Sequence, residues 1–186
     1  MVRVFGVVAE PPVWWGGVLI GLGAVSGVLG IALAMAQQDL KRLLAYSSIE
    51  NVGIVAIGVG LASIGRSLGL ADLVVLGLGG ALLHVLNHSL MKPLLFFSAG
   101  SLLHATGTRQ VSALGGLARA MPRTFALFVV GALAICGLPP LNGFASELLL
   151  YVGLLRAGVL AGTSDWASAA LAAPAFALIA PLALPR

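Results

Sequence analysis

Apolar runs broken by short polar segments set the rhythm of this chain. The first run covers residues 13–36 and opens on Trp14 and Trp15, side chains suited to a headgroup boundary. The charged break QQDLKRLL follows, then a second run at 43–64 that stops at GRS. A third, from 70 to about 104, is too long for one upright crossing, so it must tilt, kink or project beyond the hydrocarbon, and Pro93 offers a kink. The segment ATGTRQVSALGGLARAMPR is polar, basic and Gly-rich, which reads as a loop with an interfacial turn. A fourth run, 124–155, is interrupted by GLPPLNG, and a thinner fifth, 166–184, contains Pro174 and Pro181. Each run approaches the ~20 apolar residues a helix needs to cross a bilayer. The pattern predicts an all-α bundle of about five transmembrane spans, one of them broken at Pro139-Pro140, and a single transmembrane domain over 1–186.

Composition strengthens this picture. Hydrophobic residues make up 60% of the chain and charged residues 9%, with a mean hydropathy of +1.09. A water-soluble domain carries about 25% charged residues, so this chain lacks the polar surface for solution. Counting each run as one crossing puts Lys41, Arg42, Arg109, Arg119 and Arg123 on one side and Arg3, Arg66 and Arg156 on the other. The larger basic set is expected at the cytoplasmic face, with the net charge of +4 kept in short loops and not gathered into a nucleic-acid groove. The N-terminus MVRVFGVVAEPPVWW does not read as a signal peptide. Cys136, the single cysteine, excludes an intrachain disulfide and a cysteine metal cluster. Glycines within the runs, as in GGVLIGLGAVSGVLG, suit close helix packing. The same stretch superficially matches a dinucleotide loop, but no strand precedes it.

The chemistry lies in polar groups that interrupt the apolar runs. In ALLHVLNHSLMKPLLFF, residues 81–97, His84, His88 and Lys92 recur at four-residue spacing, with Asn87 between them. On a helix they fall within about a third of a turn, and the outer two are ~12 Å apart along the axis. An ionisable group in a membrane span costs at least ~2.5–3.5 kcal/mol and needs an interior partner or water. Three readings fit the stripe: a proton relay, histidines bonded to neighbouring helices beside a snorkelling lysine, or part of a metal site. H-x-x-x-H lacks the Glu of the zinc-protease motif and a third ligand, so no metal is expected.

GLPPLNGFASELLLY supplies a helix break, because Pro139 and Pro140 cannot donate backbone hydrogen bonds and leave bare carbonyls in the preceding turn. Such breaks are tolerated in membranes where protein or water buries them, and they favour ion sites. Glu147 follows about two turns later, either as a protonatable carboxylate beside a hinge or as a charge near the far interface. In DLKRLLAYSSIENVG, Lys41 and Arg42 read as a cytoplasmic loop, whereas Glu50 lies inside an apolar run, with Asn51, Ser47 and Ser48 near enough to satisfy it. Arg109, Arg119 and Arg123 read as loop anchors and His104 as interfacial. No cofactor fingerprint or nucleophile-base pair is present, and no cofactor is expected.

Four blocks, QQDLKRLLAYSSIENVGI, HVLNHSLMKPLLFFSAGSLLHATGTR, LGGLARAMPRT and GLPPLNGFASELLLY, resemble the antiporter-like membrane subunits of respiratory complexes. This family includes proton-channel chains of NADH:quinone oxidoreductase, large subunits of multisubunit cation/proton antiporters, and the large antiporter-like membrane subunits of hydrogenase-4 and formate hydrogenlyase. SSIENVGI and LNHSLMKPLLFFSAG look most like the last branch. The match covers about residues 14–156. It implies an all-helical subunit of two inverted repeats, each with a broken helix, joined by a polar axis. The family's histidine-lysine block falls on His84, His88 and Lys92, its lysine after the Asp on Lys41, and its charged residue beyond the second break on Glu147. Members carry a whole first repeat before this region, so the chain is expected to be a C-terminal part that would not pump alone. The implied role is proton translocation in a multi-pass bacterial inner-membrane subunit without redox groups of its own. The implied partners are other membrane and peripheral subunits, lipid, and protons or sodium. A sodium/proton antiporter subunit and a non-conducting structural subunit are the alternatives.

Overall fold

A computed structural model describes residues 11–160. The described residues form helices α1 (Val13–Met35), α2 (Leu40–Ser67), α3 (Ala71–Thr106), a 3₁₀ turn (Val111–Ala113), a short α4 (Leu117–Ala120), α5 (Pro122–Ile135) and α6 (Asn142–Leu160). Four of them, α1, α2, α3 and α6, are long and apolar enough to cross a membrane, and α5 is a shorter apolar helix. The expected fifth run, 166–184, lies outside the described residues. The third run is a single helix of 36 residues, about 54 Å at 1.5 Å per residue, with Pro93 inside it.

Helices α5 and α6 run antiparallel to α3 as two arms of one broken rod. Gly131 of α5 packs on Leu95, Gly80 of α3 packs on Leu150 of α6, and Arg156 near the end of α6 pairs with Asp72 at the start of α3 at 2.6 Å. The break is closed by backbone bonds and not left open as the prolines suggest. Gly137, at φ +63°, donates to the Ala134 carbonyl at 3.3 Å, and Leu138 donates to the Leu133 carbonyl at 3.4 Å. Those are the two bonds of a Schellman cap, which needs the left-handed residue that glycine supplies.

Two polar segments are stapled together at one end of the bundle. Asp39 caps α2 by accepting from the backbone N–H groups of Lys41 and Arg42, and its carboxylate meets Arg109 Nε at 3.2 Å. The Leu40 N–H donates to the Arg109 carbonyl and Val111 N–H to that of Gln38. This end gathers Lys41, Arg42, Arg109, Arg119 and Arg123, while Arg66, Asp72 and Arg156 lie at the other. The grouping is the one expected from counting spans, Arg3 lying outside the described residues.

The core has two main apolar blocks, besides a smaller contact of Ile54 with Leu150. Leu40, Leu44, Leu95, Ala99 and Leu102 form one; Ile57, Leu61, Leu73 and Leu154 form the other. Between α1 and α2 the contact is backbone on backbone. A Cβ on Gly53 would lie 2.5 Å from the Gly23 carbonyl oxygen, and one on Gly30 would lie 2.5 Å from the Glu50 backbone nitrogen. Glycine is therefore required for this approach, as in other small-residue membrane interfaces. Gly53→Val is expected to lower the thermal unfolding midpoint in lipid or detergent, at a cost of about 1–3 kcal/mol. Gly21→Ala, where a Cβ meets nothing within 4 Å, serves as the control, and equal midpoints would contradict the close packing.

Candidate functional site

Most buried polar side chains collect between the two main apolar blocks, on α2, α3 and the first turns of α6. Ser47, Glu50, Asn51, His84, Asn87, Lys92, Ser146 and Glu147 are all buried. The placement follows from periodicity: His84, Asn87, Met91, Leu95 and Ser98 mark one face of α3, and the polar members fall where that face meets α2 and the helix break.

Lys92 is the anchor on α3. Its ammonium donates to the Leu44 carbonyl at 2.7 Å and to Ser47 Oγ at 2.5 Å, both on α2. It reaches a neighbouring helix and does not snorkel to an interface. Two turns away on α3, His84 Nε2 lies 3.0 Å from Asn51 Oδ1 of α2, and Nδ1 lies 3.1 Å from Ser146 Oγ of α6. Asn87 donates from Nδ2 to the Asn142 carbonyl at 2.7 Å and to Ser146 Oγ at 3.2 Å. One histidine and one asparagine thus bind α3 to the arm beyond the break.

His88 is half-buried and stacks on His84, with ring centroids 6.5 Å apart, and its Nε2 is buried without a hydrogen-bond partner. Among the described residues no three His, Cys, Asp or Glu side chains converge as a metal site.

The two buried glutamates flank this core differently. Glu147 folds back onto the break, not toward the far interface. A Cβ on Gly137 would lie 2.5 Å from its Oε2, which also accepts from Tyr151 Oη at 3.2 Å. Glu50 lines a cavity of about 250 Å³ together with Ser47, Cys136, Ile135 and apolar residues of α1, α2, α3 and α5. The expected satisfaction of Glu50 by Ser47, Ser48 and Asn51 does not occur. Ser48 Oγ bonds back to the Leu44 carbonyl, Ser47 serves Lys92, and Asn51 serves His84.

Lys41 stands apart from this network. It is half-buried in the first turn of α2, lining an open cleft with His104, Phe97 and Met121. Pro139 and Pro140 are exposed on the chain's surface at the break. The residue that sequence reasoning passed over is Ser146, fully buried and touching both His84 and Asn87. Its only signal was position, one residue before the glutamate on an otherwise apolar helix.

Comparison with known proteins adds a lineage to this geometry. Residues 1–168 match the family described as NADH:quinone oxidoreductase/Mrp antiporter, transmembrane. The chain is 50% identical over 136 residues to hydrogenase-4 component B of Escherichia coli K12, covering 73% of this chain and 20% of that protein. It is 44% identical over 145 residues to formate hydrogenlyase subunit 3 of the same organism, covering 78% and 24%. The fold is similar to that of a chain in the Mrp complex from Dietzia sp. DQ12-45-1b, with a TM-score of 0.72 and 23% identity over 90% of this chain and 28% of that one. The chain therefore spans about a quarter or less of the length of those two curated relatives.

Gly137→Ala tests the seat of Glu147. A left-handed alanine costs about 1–2 kcal/mol before any contact with the carboxylate, so the unfolding midpoint is expected to fall. Adding Glu147→Ala removes the clash and is expected to recover part of that loss. Strictly additive losses would mean that the carboxylate does not rest on Gly137.

Proposed function

As the chain belongs to the NADH:quinone oxidoreductase/Mrp antiporter transmembrane family, we propose that it forms part of a proton-translocating membrane subunit of a hydrogenase- or dehydrogenase-type complex. One observation carries this reading: a lysine, two histidines and two glutamates cluster with amides and hydroxyls between two apolar blocks, at a broken helix. Ionisable groups inside a membrane span are expensive, and conduction is the common reason for keeping them.

In this account protons step among Lys92, His88, His84, Glu50 and Glu147, with Lys41 serving at the basic end of the bundle. Electron transfer takes place in partner subunits. Charge changes there alter the coupling among these side chains, and protons move because each group's affinity depends on its neighbours' charge. The basic end faces the cytoplasm of a bacterial cell, following the positive-inside rule. A sodium/proton exchanger built on the same scaffold is the other reading, favoured by the likeness in fold to a chain of an Mrp complex.

Lys92→Gln and Glu147→Gln, made in the complete protein, are each expected to lower proton translocation per assembled subunit by about tenfold or more. Fluorescence quenching in inverted membrane vesicles reads the rate, and immunoblotting reads assembly. Wild-type rates in both variants would remove these residues from the path. Sodium-driven pH changes without an electron donor would select the exchanger.

A further inference from the structure

The hydrogen bonds around His84 fix which of its nitrogens carries hydrogen in the neutral ring. Asn51 Nδ2 donates to the Ser47 carbonyl at 2.7 Å, which orients the amide so that Oδ1 faces His84 Nε2 at 3.0 Å. An amide oxygen only accepts, so Nε2 carries hydrogen in both charge states of the ring. Neutral His84 therefore holds its lone pair on Nδ1, toward Ser146 Oγ at 3.1 Å.

Ser146 has one hydrogen and two acceptors in reach, His84 Nδ1 and the Gly143 carbonyl at 2.9 Å. Its oxygen also accepts from Asn87 Nδ2, whose other hydrogen goes to the Asn142 carbonyl. With His84 neutral, the hydroxyl donates to Nδ1. With His84 cationic, Nδ1–H donates to Oγ and the hydroxyl turns to Gly143. The same set of contacts can thus serve both charge states of the ring, which differ by one proton on Nδ1.

We propose that Ser146 is a positioning residue for His84, holding the neutral ring with its lone pair on Nδ1 toward α6 while Asn51 keeps the hydrogen on Nε2. The inference rests on the proton-conducting reading for its purpose, but the hydrogen-bond assignment stands or falls separately. The titratable groups coupled to His84, directly or through one another, are His88 and Lys92 on α3, Glu50 on α2, Glu147 and Tyr151 on α6, and Cys136 after α5; α1 has none.

The test is a pH series of nitrogen NMR spectra on ¹⁵N-histidine-labelled complete protein in lipid membranes, with His84 identified by its absence in His84→Gln. The expected result is an Nε2 that stays protonated throughout and an Nδ1 that passes from hydrogen-bond acceptor to donor. Ser146→Ala should remove the hydrogen-bond shift at Nδ1 and leave Nε2 in place. A neutral ring protonated at Nδ1, or an Nδ1 signal indifferent to Ser146→Ala, would overturn the proposal. Should that variant fail to assemble, the wild-type tautomer and Ser146→Thr, which keeps the hydroxyl, decide the same question. Because the spectra need no transport, they are informative even if Lys92→Gln and Glu147→Gln pump normally.

Discussion

A lysine ammonium held among apolar helices needs its hydrogen bonds met from across a helix boundary, and much of this structure is arranged around that need. Lys92 finds the Leu44 carbonyl and Ser47 hydroxyl on α2. A buried charge stripped of such partners costs several kcal/mol, so the register between α2 and α3 is tightly constrained. Once that register is fixed, His84 comes opposite Asn51, and the polar face of α3 is committed to one position against α2 and the broken rod.

The close approach of α1 and the turn at Gly137 serve the same end. Backbone contact at Gly23, Gly30 and Gly53 brings α1 against α2, with Gly30 directly over Glu50, and the buried Glu50 lines a small cavity there. The Schellman closure at Gly137 ends α5 without a side chain at that point, and the vacant space is where the Glu147 carboxylate sits. The apolar blocks above and below shield this layer. Low polarizability of those surroundings strengthens each charge-charge interaction within the layer.

Much of this was legible in the chain. The apolar runs give helices near the expected bounds, the Pro-Pro pair gives the break, and the stripe of His84, His88 and Lys92 is on an inward face. What stayed hidden depends on pairing across helices. Ser98, Ser101 and Ser89 bond back to carbonyls in their own helix, and a serine in an apolar run reads alike whether it does this or reaches a neighbour. Ser47 and Ser146 do both, and only the packed structure separates them. The fold-back of Glu147 was hidden for a related reason: distance along the chain says nothing of how a left-handed glycine redirects it.

A double-mutant cycle between His84 and Lys92 reads most directly whether these groups act as one axis. Proton translocation would be measured in vesicles for His84→Gln, Lys92→Gln and the pair, at equal levels of assembled subunit. Members of one path fail together, so the double variant should lose little more than the worse single one. Losses that multiply as for independent sites would contradict the account.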